Sequence, residues 1–266
     1  MEIADAPNVA ANERLKTQAS VSVMVVAFNE EQDLRATIAT TIAAVSAIDD
    51  LDVEIVIVND GSSDDTANIA NALAREFPLV RCVHHETNRG FGEAFRSGLA
   101  AARNEYVTFI PGDNLVSVTM LRETLRHIGQ AELICSFPVN VECRPRLRRV
   151  ISSIFSFLYR QTFDLPLRAI HTNSAYPVKL LRETNLRSQR YSLASEIMVK
   201  LLRQGCTFLE LPGYLNLSQN KSSALQLKNL VEVITSYLQL VTEVYVTERA
   251  TYSRPPVRVI PEDLRA

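Results

Sequence analysis

The stretch VIVNDGSSDDT, residues 56–66, decides the fold class of this chain. An apolar run ends in an acid, a glycine and two serines, which is typical of a buried strand that turns into a helix. Asp60 is predicted at the carboxyl end of that strand, and Ser62 to Thr66 are predicted to cap the helix that follows. A lone Asp-Gly more often does no more than close such a turn. The rest of the chain therefore has to decide whether Asp60 belongs to a turn or to a site.

Apolar runs and helix-like segments alternate along the rest of the chain. Strands are predicted at 21–27, 53–59, 80–84, 106–110, 132–136 and 206–211. Helices are predicted at 30–47, 64–76, 90–102, 118–129, 193–204 and about 222–246, with a further basic helix between 144 and 159. Because the strand segments are rich in Val and Ile, this alternation predicts an α/β fold with a mainly parallel, doubly wound sheet and helices on both faces.

Length and composition limit the classes of protein to consider. The chain has 266 residues and a formal net charge of −2, which gives it no general attraction to nucleic acid. Its four cysteines are widely spaced, so they are interpreted as reduced residues of a cytosolic protein. The sequence contains no run of about 18 uncharged apolar residues, which disfavours a membrane-spanning helix. Residues 1–20 are predicted to be a disordered arm without a targeting signal, and 247–266 an irregular tail.

Several common nucleotide-binding and hydrolase motifs are absent from the sequence. The first strand leads into AFNEE, residues 27–31, where a dinucleotide-binding protein would carry Gly-x-Gly-x-x-Gly. The chain also lacks a P-loop lysine motif and a Gly-x-Ser-x-Gly elbow. Oxidoreductase, NTPase and serine hydrolase functions are therefore disfavoured.

Acidic residues follow three strands that share one edge of the predicted sheet. These strand ends read FNE at 28–30, NDG at 59–61 and PGDN at 111–114. Three acids at successive strand ends are better explained by a polar ligand than by turns, and a carboxylate there suits the hydroxyl and N–H groups of a nucleoside. Between the second and third lies NRGFG, residues 88–92, which opens a helix. Its backbone N–H groups and the cation of Arg89 are predicted to receive phosphate oxygens.

Four ordered motifs make this chain resemble a known family. The motifs VSVMVVAFNEE, IVIVNDGSSDDT, NRGFGEAFRSGLAAA and YVTFIPGDN begin at residues 21, 55, 88 and 106. Together they resemble glycosyltransferase family two, whose members share the GT-A fold, and within it the dolichyl-phosphate mannosyltransferase and bacterial polyprenyl-phosphate glycosyltransferase branch. The resemblance implies a half that binds the nucleotide sugar at 21–136, and an acceptor-side half of the same domain, with a C-terminal helical region, at 137–246.

The resemblance assigns roles to residues at the strand ends. Ala27, Asn29 and Glu30 would line the nucleotide pocket, beside the phosphate-binding loop at Arg89 and Gly90. Asp60 would contact the base or the ribose of the nucleotide sugar.

The resemblance also places a metal in this site. Asp113, preceded by Gly112, would hold Mg²⁺ or Mn²⁺, which neutralises the diphosphate as the glycosidic bond breaks. The branch usually carries Asp-x-Asp here, whereas this chain has Pro111 in place of the first acid. One carboxylate can still hold Mg²⁺ together with phosphate oxygens and water. Weak metal binding, an altered sugar donor and lost activity all stay open.

The acceptor side resembles the family more loosely. Glu196 begins a helix where the family places an acid beside the acceptor, although a solvated helix acid is an equally good interpretation. Lys221, with Arg168 or Arg190, is the candidate for holding an acceptor phosphate. A lipid phosphate is already an oxyanion at pH 7 and needs only positioning, whereas a sugar hydroxyl needs a general base. Glu196 becomes the candidate base only for a hydroxyl acceptor.

A cationic cluster leads into an apolar run of helical length. Four arginines, at 144, 146, 148 and 149, precede the run at 150–159. An interfacial anchor on anionic lipid has this composition, although the residues alone slightly favour a helix packed on the sheet with solvated arginines. The resemblance favours the membrane, because this branch places a helix here beside the bilayer. The long helix near 225–246 could pack against the core, a second subunit or the membrane.

The primary hypothesis is an inverting, metal-assisted transfer of a hexose from a nucleotide diphosphate sugar to a polyprenyl phosphate, by a protein peripheral to the cytoplasmic face of a membrane. A sugar hydroxyl in glycan synthesis is the alternative acceptor. The rival hypothesis is a non-catalytic scaffold that binds nucleotide sugars, in which Pro111 marks lost chemistry. Retention of both Asp60 and Asp113 argues against the scaffold.

Overall fold

The computed structural model describes residues 19–143, 145–170, 173–190, 192–216 and 227–261, without the side chains of 227–231. The predicted disordered arm therefore lies outside the described residues, apart from its last two positions.

One mixed sheet runs through the described part of the chain. Its strands are β1 Ala19–Ala27, β2 Leu51–Asn59, β3 Val80–His84, β4 Tyr106–Pro111, β5 Leu133–Pro138, β6 Asn173–Pro177, β7 Thr207–Gly213 and β8 Val257–Arg258. The α-helices are α1 Leu34–Val45, α2 Thr66–Glu76, α3 Phe91–Ala101, α4 Val118–Arg126, α5 Arg146–Phe163, α6 Val178–Glu183, α7 Ser192–Arg203 and α8 Leu227–Thr242. A short 3₁₀ helix, Val141–Cys143, precedes α5, and a π-helical turn, Glu243–Thr247, extends α8.

The strand order places the carboxyl ends of most strands at one edge. The order is β3-β2-β1-β4-β6-β5-β7-β8, and β6 alone among these runs antiparallel to its neighbours, β4 and β5. The carboxyl ends of β1, β2, β4 and β5 therefore share an edge with the amino end of β6. The predicted fold class, a mainly parallel α/β sheet, is confirmed.

Apolar cores cover both faces of the sheet. Successive residues of β1 alternate between them: Val23 and Val25 pack with helices α1 and α4, whereas Met24 packs with Phe95 of α3 on the other face. Burial on both faces explains why the strands read as continuous apolar runs rather than as alternating ones. The same burial holds the strand ends, and the acids that follow them, in fixed positions.

Two regions depart from the sequence prediction. No strand or helix is predicted at 173–183, yet this segment forms β6 and α6. Its strand, NSAYP, is short and carries residues of low strand propensity, so neighbouring strands rather than local preference determine it. Val257–Arg258 forms β8 against β7, inside the tail predicted to be irregular. Within the described ranges, no helix is both long and apolar enough to cross a membrane.

Candidate active site

The three predicted strand ends meet at the carboxyl edge of the sheet. The N–H of Asp60 donates to the carbonyl of Ala27 at 2.9 Å, which places the end of β2 beside that of β1. The side chain of Asn29 accepts the N–H of Ser63 at 2.9 Å, and the N–H of Glu30 donates to Thr66 Oγ1 at 2.8 Å. The polar residues of the VIVNDGSSDDT stretch thus fix the loop that carries Glu30, as well as the start of α2.

Gly112 lets the end of β4 approach the end of β1. A Cβ atom at position 112 would lie 3.1 Å from the Cβ of Ala27 and 3.2 Å from the Cγ of Glu30, which is tighter than ordinary contact. The Thr37 hydroxyl donates to the Gly112 carbonyl at 2.8 Å and fixes the turn from the other side. The glycine therefore brings Asp113 and Glu30 to one place.

Carboxylates at this edge repel one another. The pKa of Glu30 is raised to about 7, first by burial and then by the charges of Asp113, Asp33 and Asp64. Such a shift means that ionised Glu30 lacks a compensating cation. Clusters of carboxylates with raised pKa values are typical of functional sites.

The pKa of Asp113 is also raised. Burial is the main cause and the charge of Asp33 adds to it, while the N–H of Leu115 and the charge of Arg148 act in the opposite direction. Among the described residues, no three His, Cys, Asp or Glu side chains form a complete metal site. Two carboxylates with raised pKa values nevertheless fit a divalent cation whose other ligands are diphosphate oxygens and water.

Asp60 holds the loop that was predicted to bind phosphate. It is 2% exposed, and its Oδ1 accepts His85 Nδ1 at 2.7 Å and the N–H of Arg89 at 2.9 Å. Its Oδ2 accepts the N–H of Gly90 at 2.8 Å. The N–H groups of Arg89 and Gly90 thus already donate to Asp60, and phosphate binding by the backbone and the cation of this loop stays a prediction. The guanidinium of Arg89 lies 3.6 Å from Glu93 at the surface.

His85 is the residue of this loop that the sequence interpretation missed. Its Nδ1 contacts Asp60 and its Nε2 lies 2.8 Å from Ser97 Oγ on α3. The imidazole therefore links the end of β2 to the body of α3. The sequence signal that could have placed His85 beside Asp60 was its position directly after β3, at the same edge of the sheet. The contact of Asp60 with a nucleoside stays a prediction.

The loop after α6 packs against the start of α3. The N–H of Gly92 donates to the carbonyl of Gln189 at 2.9 Å, and Arg96 donates to the carbonyls of Leu186 and Ser188 at 3.0 and 2.8 Å. Arg190 is exposed at the end of this loop. Its role at an acceptor phosphate stays a prediction. Lys221, the other predicted phosphate ligand, lies outside the described residues.

Glu196 has a different environment from the one predicted for a catalytic base. It is 4% exposed and accepts the N–H groups of Arg187 at 3.0 Å and Ser188 at 2.8 Å. Lys200, fully buried, lies 2.6 Å from Glu196 and 2.7 Å from Glu243. Burial acts to raise the pKa of Glu196, but the hydrogen bonds from Lys200 and the backbone outweigh it and hold the pKa below its ordinary value. A carboxylate so bonded is a poor base, so this geometry gives the predicted base role no support.

Helix α5 presents an apolar face to solvent. The first turn is basic, as predicted, and the opposite end packs into the core through Tyr159 and Phe163. The ring of Tyr159 lies 5.1 Å from that of Tyr237 of α8 at an angle of 58°, so the two helices adjoin. The exposed apolar side chains of α5 are Leu147, Val150, Ile151, Ile154, Phe157 and Leu158. We call these six the α5 apolar stripe.

Comparison with known proteins agrees with this architecture. Residues 22–184 match the profile of glycosyl transferase family 2. Glycosyltransferase AglD of Haloferax volcanii is 26% identical over 202 residues, which are 72% of this chain and 32% of the relative. This chain thus spans about a third of that protein's length. Dolichyl-phosphate beta-glucosyltransferase ALG5A of Trichomonas vaginalis is 26% identical over 241 residues, 83% of this chain and 72% of the relative.

Solved structures share the fold. Glucosyl-3-phosphoglycerate synthase of Mycobacterium tuberculosis, in complex with Mg²⁺ and UDP, superposes with a TM-score of 0.67 at 19% identity, over 89% of this chain and 85% of that one. The same synthase with Mn²⁺, UDP-glucose and phosphoglyceric acid superposes with a TM-score of 0.64 at 19% identity and the same coverage. At this level of identity the likeness establishes the GT-A fold.

Proposed function

This chain belongs to glycosyl transferase family 2, and on that premise we propose that it transfers a hexose from a nucleotide diphosphate sugar to a polyprenyl phosphate at a membrane surface. The observation that carries the proposal is the pair of carboxylates, Glu30 and Asp113, whose pKa values are raised at the carboxyl edge of the sheet. A sugar nucleotide brings a diphosphate, and a cation between it and these acids would relieve their repulsion.

The sugar-donor side uses residues already held in place. Asp113 and Glu30 would hold Mg²⁺ or Mn²⁺, which supplies charge neutralisation for the leaving diphosphate. Ala27, Asn29 and Gly112 would line the pocket beside them, with Gly112 packed closely on Ala27, and Asp60 keeps the loop at 85–90 in position. Complexes of the synthase with UDP-glucose and Mn²⁺ support this kind of sugar donor and metal for the fold.

The acceptor side is better suited to an oxyanion than to a hydroxyl. A hydroxyl acceptor needs a base, and the predicted candidate, Glu196, is ion-paired with Lys200. A phosphate oxyanion attacks without losing a proton, and a single in-line displacement inverts the configuration at the sugar carbon. The name of the Trichomonas relative, a dolichyl-phosphate glucosyltransferase, supports a lipid phosphate.

A membrane-bound acceptor also accounts for the α5 apolar stripe. Six exposed apolar side chains on one helix, preceded by arginines, match an amphipathic helix that lies in the interface of anionic lipid. We therefore propose peripheral binding to the cytoplasmic face of a membrane through α5.

The test is turnover with purified polyprenyl phosphate and a panel of UDP- and GDP-sugars, with Asp113→Asn as the matched variant. The proposal expects metal-dependent transfer to the lipid phosphate by the wild-type chain and a loss of at least 100-fold in the variant. Transfer only to soluble sugars would overturn the acceptor, and binding without transfer to any acceptor would favour the scaffold.

A further inference from the structure

His85 is bonded at its backbone and at both ring nitrogens. Its N–H donates to the carbonyl of Asn59, the last residue of β2, at 2.9 Å. Its side chain is 5% exposed, with Nδ1 lying 2.7 Å from Asp60 Oδ1 and Nε2 lying 2.8 Å from Ser97 Oγ. The imidazole therefore has a fixed position between the end of β2 and helix α3.

These contacts assign the donor and acceptor roles of the ring. Both oxygens of Asp60 accept backbone N–H groups, as a carboxylate does, and a carboxylate has no hydrogen to donate. Nδ1 of His85 is therefore the donor in its bond to Asp60, and in the neutral imidazole Nε2 accepts the Ser97 hydroxyl. The feature that Asp60 requires of residue 85 is thus an N–H donor at the place of Nδ1.

Asp60 transmits this constraint to the backbone around Arg89. The two N–H groups that its carboxylate accepts, those of Arg89 and Gly90, lie on either side of the Arg89 Cα atom. Gly61 supports the same loop from below, because a Cβ atom there would lie 2.1 Å from the carbonyl carbon of Thr87. The loop therefore rests on the Asp-Gly turn, and the Arg89 side chain leaves it from a fixed point.

The guanidinium of Arg89 is placed where a diphosphate could reach it. The N–H of Asp60 donates to the carbonyl of Ala27 at the end of β1, so the loop borders the sugar-donor site. The Arg89 side chain is 54% exposed, and its ion pair with Glu93 is long, at 3.6 Å. An exposed pair of this kind contributes little, so exchanging Glu93 for phosphate oxygens costs little.

From these contacts we propose that His85 is a positioning residue of the sugar-donor site: it holds Asp60, and through Asp60 the loop that presents Arg89 to the diphosphate. The inference rests on the proposed function, whose sugar-donor side it deepens. It gives Asp60 a role in binding the diphosphate half of the nucleotide, in addition to any contact with the nucleoside.

The experiment uses two amides that each mimic one ring nitrogen. The amide of His85→Asn lies near the place of Nδ1 and can still donate to Asp60, whereas that of His85→Gln lies near the place of Nε2, beside Ser97. His84→Ala is the matched control, because this exposed neighbour bonds two asparagines on the other side of β3. UDP and GDP with Mn²⁺, and the nucleosides uridine and guanosine, are titrated by calorimetry into each variant, with urea unfolding to show that each is folded.

We expect His85→Gln to bind the preferred nucleotide about 10-fold more weakly than the wild type, and His85→Asn and the control to bind it within threefold. Binding of the matching nucleoside should not change, because the loop acts on the diphosphate. In turnover, the KM for the sugar nucleotide should rise in His85→Gln while kcat stays within threefold. Rescue by asparagine and the split between KM and kcat are not expected of a histidine that only stabilises the fold.

A double-mutant cycle tests the route through Asp60. Asp60→Asn combined with His85→Gln should bind the nucleotide no more weakly than Asp60→Asn alone, and additive losses would overturn this route. Unchanged nucleotide binding in a folded His85→Gln variant would overturn the positioning role, and an equal loss for the nucleoside would overturn the assignment to the diphosphate. If His85→Gln behaves as expected but the wild type transfers no hexose to any acceptor, the positioning role stands and the proposed function fails.

Discussion

Glu30 makes the stability of this protein depend on pH in a predictable direction. The pKa of its carboxyl is raised to about 7 in the folded chain, against 4.5 when unfolded. Below pH 4.5 the carboxyl is protonated in both states, so it does not change the free energy of unfolding. Above pH 7 it is ionised in both, and the folded state bears the full cost of burial and repulsion. Stability is therefore expected to fall as the pH rises through this window.

The size of the effect follows from the shift. A change in the pKa of Glu30 from 4.5 to about 7 limits the loss of folding stability to about 3 kcal/mol. Because Glu30 is only partly buried, solvent screening reduces the expected cost to about 1–2 kcal/mol. Glu30→Gln removes the charge and keeps the shape, and it leaves the hydrogen bond from the N–H of residue 30 to Thr66 in place.

Urea unfolding at pH 5 and pH 8 measures this difference. Glu30→Gln is expected to raise the free energy of unfolding by about 1–2 kcal/mol at pH 8 and by much less at pH 5. Mn²⁺ should stabilise the wild-type chain at pH 8 more than it stabilises the variant. Glu183→Gln, on the exposed face of α6, is the control and should change stability little at either pH. A variant that is equally stabilised at both pH values, or destabilised at pH 8, would refute the reasoning.

Three further substitutions test the contacts around the site. Lys200→Met leaves buried Glu196 without its cation and Glu243 with Arg187 alone, and is expected to lower the free energy of unfolding by about 3–5 kcal/mol in urea titrations; a loss below 1 kcal/mol would contradict this. Asp60→Asn puts an amide against donating N–H groups, so limited proteolysis should cut the loop at 85–90 faster than in the wild type. Gly112→Ala crowds Ala27 and Glu30, and should weaken UDP binding in calorimetry at a stability cost of about 1–2 kcal/mol; normal binding would show that the wall can relax.

The sequence was sufficient to predict the elements that bury a continuous apolar run. The predicted strand at 80–84 coincides with β3, and the predicted ends of β1 and β2 at Ala27 and Asn59 are confirmed. β6 was missed because its five residues carry little apolar signal and are ordered by β4 and β5 on either side. Hydrophobic periodicity and strand propensity describe the local preference of a segment. β6 depends instead on the strands beside it, β4 and β5.

The site was predicted less completely, because its decisive contacts join residues that are far apart in the sequence. Three acids at neighbouring strand ends were visible in the motifs. No motif indicated that the Asp60 carboxylate binds a histidine 25 residues away, or that Glu196 shares Lys200 with Glu243. Both acids are conspicuous in the sequence, yet both hold loops in place.

The most direct test of the sugar-donor site is calorimetric titration of UDP and GDP, each with and without Mn²⁺, into the wild-type chain and into Asp113→Ala. We predict that Mn²⁺ tightens binding of one of the two nucleotides by at least tenfold in the wild type, and that Asp113→Ala removes this gain. Binding that is independent of Mn²⁺ and unchanged by the substitution would contradict the assignment of the metal, and with it the proposed reaction.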